Sequence, residues 1–400
     1  MLTYLTSGES HGPQLTAIVD GLPAGLTVAV DELNFQMARR QKGYGRGGRM
    51  KIEQDQVEFV SGLRHSRTLG GPVTMVIRNR DWENWVNIMD PVSPLPDDLH
   101  LREQRLAHET TMPRPGHADL AGGIKYNHKD LRNVLERASA RETAARVAVG
   151  SLCRQLLEQF GVRFASHVVQ IGEVAVARER YTIEHIDDII ERSEASEVRC
   201  LVSEVEAKMI EAIKTAKKKR DSLGGVAEVI VTGLPVGLGG FSQGRHRLDS
   251  QLVGALMSIP SAKGAEIGLG FAAAARRGSE VHDEIFYDTE GDPRKKKFVR
   301  KTNRAGGIEG GITTGEPIVA RVAVKPISTL NRPLQTVDVV TKEPAEAMVE
   351  RTDNCVVPAV AVITEAVMAI ELTEVFLDKF GRDNMAEITR NVESFLATDY

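Results

Sequence analysis

The chain has 400 residues with 51 Lys+Arg against 55 Asp+Glu, a formal charge of 51 − 55 = −4. At 42% hydrophobic residues it reads as globular throughout, and the lack of a basic excess argues against a nucleic-acid partner. Its three cysteines, Cys153, Cys200 and Cys355, form no CxxC pair, which excludes a disulfide framework and a zinc cluster and suits a reducing cytosol.

The start, "MLTYLTSGESHG", lacks the charged and apolar regions of a signal peptide, and the longest apolar run, "VVPAVAVI" at 356–363, is too short to span a bilayer. The expected location is therefore cytoplasmic, with no membrane partner. In chain order, Val- and Ile-rich runs predict strands near 15–19, 57–61, 73–79, 227–232 and 318–325. A long helix is predicted within 137–161, opened by a Ser139/Glu142 capping box, with Ala144, Ala148, Leu152 and Leu156 on one face. An amphipathic helix from about 203 closes on "KKKR" (217–220), where cations favour a helix C-terminus. The basic stretch "RKKKFVRKTNR" (294–304) reads as a mobile hairpin. A second long helix, apolar on most sides from Ala361 to Phe376, is expected deep in the core, and a last amphipathic stretch carries Met385, Ile388, Val392 and Phe395.

The sequence repeats distantly. "GLPAGL" (21–26) returns as "GLPVGL" (233–238), each after a β-branched run; "TLGGPVTMVI" (68–77) is answered by "TTGEPIVARVAV" (313–324), and the two long helices match in order. The shared order predicts one 1–400 domain of two pseudo-equivalent halves, about 1–200 and 201–400, with a site between them.

Three stretches point to chemistry. "SGESHG" (7–12) and "RPGHAD" (114–119) set His11 and His117 among glycines, where backbone and ligand can approach closely. "RASARET" (137–143) brings Arg137 and Arg141 to a helix start, a natural anion site. "RRQKGYGRGGRM" (39–50) threads Arg39, Arg40, Arg46 and Arg49 between glycines, and "GGIEGG" (306–311) looks like a phosphate-cradling loop. Either histidine alone is as compatible with a hydrogen-bonded structural role. An RNA-binding module would need interleaved aromatics, yet the Arg/Gly stretch holds only Tyr44. No HExxH spacing, GxSxG elbow or P-loop occurs, so no metal is expected.

Together with "KGAEIGLGF" (263–271), "KPIST" (325–329) and "RTDNC" (351–355), these motifs resemble chorismate synthase in their order across essentially the whole chain. The resemblance implies an α/β (α+β) fold with helices between antiparallel sheets and internal pseudo-symmetry, assembled as a homotetramer. It implies 1,4-anti elimination of phosphate from 5-enolpyruvylshikimate 3-phosphate with reduced FMN, the flavin being reduced by NADPH or by an external flavin reductase. It makes His11 the phosphate-side proton donor and His117 the group that protonates reduced flavin. Asp353 would act at flavin N5, or serve only as a helix N-cap, and Ser10 and Ser139 would relay protons. Arg40, Arg46, Arg137, Ala138, Ser139, Pro260, Ser261, Gly310, Lys325, Pro326, Ile327, Ser328, Thr329 and Arg351 are implied FMN contacts. Ser10, His11, Arg39, Arg46, Arg49, Arg114 and Arg137 are implied on the substrate side. An ordinary FMN oxidoreductase is the enzymatic rival. The chain departs from some members at Asn354, where they have Pro, and at Ala138, where they have Ser.

Overall fold

The computed structural model describes all residues except 48–53, 94–96, 101–102, 104–107, 178–184 and 351. Two antiparallel sheets enclose a pair of long helices. The first sheet contains β1 (Thr3–Ser7), β2 (Gln14–Asp20), β3 (Glu58–Ser61) and β4 (Val73–Arg78) in the order β1-β2-β4-β3. The second contains β5 (Arg163–Ile171), β6 (Val174–Ala175), β7 (Gly225–Thr232), β8 (Ala262–Ile267) and β9 (Ile318–Val324) in the order β6-β5-β7-β9-β8. All five expected strands form; β1, β5 and β8 were not legible, because each lacks an unbroken β-branched run.

Burial explains why the two sheets read so differently. On β2, Leu15, Ala17 and Val19 are buried while Ile18 faces out, the alternation of a sheet with one covered face. The second sheet is covered on both faces: Phe164, Val229 and Val322 join the main core, whereas Ala165, Ile230 and Val319 pack with Ile189 and Leu201 outside. Hence "EVIVT" is apolar nearly throughout.

Helix α1 (Val30–Gln41) carries Asp31 and Glu32 in its first turn and Arg39 and Arg40 in its last, matching its dipole. Further on come α2 (Asp119–Tyr126), α3 (Thr143–Glu158), α4 (Ile186–Ala195), α5 (Ser203–Lys218), α6 (Leu248–Met257), α7 (Val357–Phe380) and α8 (Met385–Ala397). Among the described residues no helix is long and apolar enough to cross a membrane. Helix α3 packs on β2 and on α7, and α7 packs on β5 and β7, so both helices are central layers. That is why α3 is buried on most sides, including Val147, Val149 and Cys153, rather than along one stripe. The pair touches at Gly150, where an added Cβ would lie 2.5 Å from the Cα, Cβ and O of Ala366. The closing α8 packs on the same body through Ile388 and Val392, with Phe395 edge-on to Phe380 at 5.6 Å.

Two local expectations need correction. The Ser139/Glu142 capping box does not close: Ser139 Oγ accepts from Arg141 N at 3.3 Å, and Glu142 pairs with Arg146 instead. The basic stretch is the second strand of a pair, Phe298–Arg300 against Ile285–Tyr287, with Lys295 on Glu316 at 2.6 Å.

A buried ion network joins the layers. Glu365 on α7 accepts from Arg39 at 2.7 and 2.9 Å, from Arg154 at 2.5 Å and from Ser166 at 2.5 Å. Burial by itself would raise its pKa, but these guanidinium groups bring it down to about 2. Because that lies below the ordinary 4.5, the stabilisation is complete above about pH 4.5 and is lost as pH falls toward 2. Glu365→Gln is expected to lower neutral-pH unfolding free energy by about 3 kcal/mol and to flatten its acid dependence; an unchanged acid limb in urea titrations would refute the linkage. Gly150→Val is expected to cost about 1–3 kcal/mol through overpacking, seen as a lower denaturant midpoint.

Candidate active site

A cavity of about 640 Å³ opens where the N-terminal ends of α3 and α7 come together. Ala140, Arg141 and Thr143 line it from the start of α3, and Val356, Ala359 and Ile363 from the first turns of α7. The turn after β1 adds Ser10 and His11, the 114–118 turn adds Arg114 and His117, and the segment after β9 adds Lys325, Ile327, Ser328 and Thr329. Two helix N-termini give such a space a positive bias before any side chain is counted.

Each histidine is clamped by its own carboxylate. Glu136, buried just before "RASARET", accepts from the backbone N–H of His11 at 2.8 Å and contacts His11 Nδ1 at 3.0 Å. Its backbone carbonyl accepts from Ser10 N at 3.0 Å, and its Oε1 accepts from Arg132 at 2.9 Å. Burial would raise the Glu136 pKa, but the His11 hydrogen bonds and Arg132 leave it lowered, so the group stays anionic at neutral pH. On the other wall, Asp119, the first residue of α2, contacts His117 Nδ1 at 2.5 Å and accepts from Arg114 at 2.8 and 3.1 Å. Its pKa is also lowered, burial opposing and His117 and Arg114 prevailing. With each Nδ1 assigned as donor to its carboxylate, the tautomer and orientation of each ring are set by that carboxylate.

The arginines form a second layer of the wall. Arg40 and Arg141 share the buried Asp55: Arg40 Nη2 reaches Oδ2 at 2.5 Å and Arg141 Nη1 reaches Oδ1. Asn79 Oδ1 accepts from Arg141 at 2.8 Å. Burial raises the pKa of Asp55, but the two cations outweigh it and leave it lowered. Burial likewise lowers the Arg40 pKa, with Asp55 opposing and Arg141 and Arg46 adding to the effect. The Nε of Arg40 is buried without a hydrogen-bond partner among the described residues, a donor that an anionic ligand would satisfy. Arg46 pairs with Asp353 at 3.3 Å, and Asp353 Oδ1 also accepts from Gly47 N. Asn354 N donates to Gly45 O at 2.8 Å. A proline at 354 has no N–H, so here the family departure adds an anchor for the arginine loop.

Most sequence-derived site residues meet at this cavity: Ser10, His11, Arg40, Arg46, Arg114, His117, Ala138, Ser139, Pro260, Ser261, Lys325, Ile327, Ser328, Thr329 and Asp353 all line it. Ser139 caps through Arg141 N and also donates to Ser10 Oγ at 3.1 Å. Asp353 is no helix cap, since Val356 occupies that position. Four expectations are corrected. Arg39 is committed to Glu194, Gln36 and Glu365 away from the cavity wall. Arg137 donates to Thr6 O at 2.8 Å and to Gly8 O at 3.3 Å, so it ties down β1. Gly310 and Gly311, both left-handed at φ +60° and +86°, are the central residues of the tight turn joining Ile308–Glu309 to Ile312–Thr313. Turn geometry by itself demands those glycines, and Gly310 does not line the cavity. Pro326 does not line the cavity. Arg49 and Arg351 lie outside the described residues. Glu136, Asp55, Arg132 and Trp85 went unnoticed, because partners distant in sequence leave no spacing signal; only the carboxylate directly before "RASARET" offered a hint.

The chorismate synthase family profile matches residues 2–377. Chorismate synthases of Bacillus pumilus and Geobacillus sp. are each 51% identical over 392 residues, covering 98% of this chain and 98% of theirs. That of Bacillus subtilis is 50% identical over 393 residues with the same coverage. A crystal structure of chorismate synthase superposes with a TM-score of 0.78 at 40% identity, covering 99% of this chain and 97% of the other.

The wall predicts anion binding independent of any turnover. Inorganic pyrophosphate at roughly one hundred times its Kd should stabilise the free protein by about 2.7 kcal/mol, read as a raised thermal midpoint, and Arg40→Ala should remove most of that rise. An equal rise in the variant would place the anion elsewhere.

Proposed function

The chain belongs to the chorismate synthase family, and on that premise we propose that it converts 5-enolpyruvylshikimate 3-phosphate to chorismate, acting as a carbon–oxygen lyase that depends on reduced FMN. The observation that carries the reading is the meeting of two carboxylate-clamped imidazoles and a guanidinium wall in one cavity. The substrate brings a phosphate and two carboxylates, and guanidinium groups bind such anions with bidentate geometry.

The reaction is a 1,4-anti elimination. A proton departs from carbon and the C–H pair forms one new double bond; the existing ring double bond shifts by one position toward the carbon bearing phosphate, and the C–O bond breaks with its electron pair leaving on phosphate, so no net oxidation occurs. His11, oriented by Glu136, delivers a proton from Nε2 to the departing phosphate, while Arg40, Arg46 and Arg141 neutralise its charge. His117, held by Asp119, keeps a proton at the cavity wall, and Asp353, placed to draw on flavin N5 when the cofactor is bound, is the final acceptor of the proton lost from carbon. Ser139 and Ser10, hydrogen-bonded to each other, lie beside His11 as relay groups.

The residues present suit a flavin nucleotide. The cavity is of small-molecule size, Arg40 Nε awaits an acceptor, and Ala359, Val360 and Ile363 offer an apolar wall for a flat ring system. Ala138, Ser139, Ser261, Ser328 and Thr329 would hold it, with Lys325 beside them donating to Gly116 O. When bound, reduced FMN supplies electron density to the breaking C–O system.

The proposal includes a cytoplasmic homotetramer and two pseudo-equivalent units in one domain. Strand order supports the duplication, β1-β2-β4-β3 corresponding to β5-β7-β9-β8, and favours a second unit that begins with the strand at Arg163 rather than near 201. Gly21 and Gly233, at φ +93° and +81°, end the corresponding strands β2 and β7.

The deciding experiment follows chorismate absorbance and the flavin spectrum anaerobically with photoreduced FMN. Stoichiometric chorismate with FMN still reduced supports the lyase; net flavin oxidation at each turnover would make the chain an oxidoreductase. Repeating it in air with NADPH distinguishes self-reduction from dependence on an external reductase. His11→Ala and His117→Ala should each lower turnover by roughly two to four orders of magnitude while keeping FMN binding; wild-type turnover in both would end the assignment.

A further inference from the structure

His11 is held by more than its carboxylate. Its ring stacks on Trp85 with centroids 3.9 Å apart and planes at 22°, and the Arg132 guanidinium lies 5.3 Å from the same indole. Arg132 in turn donates to Glu136, which clamps His11. Four side chains therefore close a ring: His11, Glu136, Arg132 and Trp85. The indole is itself fixed, its Nε1 donating to Asp81 at 3.3 Å.

We propose that Trp85 is a positioning residue that holds the His11 imidazole in plane, an inference that rests on His11 serving as the phosphate-side acid. The Glu136 hydrogen bond fixes one ring nitrogen but not the ring plane; the stack supplies that second constraint. Arg132 shares Glu136 Oε1 with His11, so one carboxylate ties the imidazole to the guanidinium that lies against the same indole. The other titratable groups around the stack are Asp81 at the indole N–H, His108 tilted on the same indole at 5.9 Å, Glu350 at 3.4 Å from Arg132, and Glu9 two residues before His11.

The chain has two tryptophans, Trp82 and Trp85, so Trp82→Phe isolates the indole of interest. An imidazolium quenches a stacked indole more than neutral imidazole does, so emission against pH reports His11. The expected result is a single brightening step as pH rises, absent in His11→Gln. In turnover, Trp85→Leu should lower kcat roughly tenfold or more and change KM far less. Trp85→Phe, which keeps an aromatic face, should restore most of kcat, with the thermal midpoint and FMN binding close to wild type in both. An unchanged kcat in Trp85→Leu, or Trp85→Phe as impaired as Trp85→Leu, would overturn the role. A His11-dependent emission step without chorismate formation in any variant would overturn the assigned reaction and leave the stack standing.

Discussion

The contact between Gly150 and Ala366 is the constraint on which the rest depends. Only a missing side chain lets α3 and α7 approach so closely, with each helix supporting one sheet on its far side. Their N-terminal ends then open onto one space, and the site is reached from those ends, from the last turn of α1 with Arg40, and from loops that the sheets hold beside them. Glu365, bound by Arg39 on α1 and Arg154 on α3, locks the same layers by charge. Leaving those cations unpaired in the interior would cost more than the pairing gains, so the network enforces one arrangement.

The cavity itself is a managed conflict. Gathering guanidinium groups for anionic ligands forces like charges together, and the buried carboxylates Asp55, Asp119 and Glu136 keep the free protein tolerable. Asp55 takes one guanidinium on each oxygen. Asp119 and Glu136 each hold one histidine and one arginine, so the same carboxylates that offset the arginines also orient the two imidazoles. Electrostatic balance and imidazole orientation are thus one design.

Legibility in the sequence followed the range of the interactions. His11 and His117 stood out because flanking glycines mark turns, and the arginine loop stood out by composition. Their partners did not: Glu136 meets His11 from 125 positions away, and Trp85 meets it from 85 − 11 = 74 positions away in a segment that carries no motif. Arg39 and Arg40 show the limit most clearly. Adjacent in sequence and identical in chemistry, they point about 100° apart, the rotation of one helical residue, so one reaches the cavity wall while the other is buried against Glu365.

The sequence by itself determined the family, the five β-branched strands, the two long helices and the residue types that meet an anion, because these rest on local periodicity and on motifs short enough to read. Tertiary structure alone decided that α3 is buried on most sides, that Arg39, Arg137 and Gly310 serve the scaffold, and that Glu136, Asp55 and Trp85 serve the site. Those outcomes depend on which distant segments share a low-dielectric interior, where a carboxylate and a guanidinium must find each other, and no local pattern records that meeting.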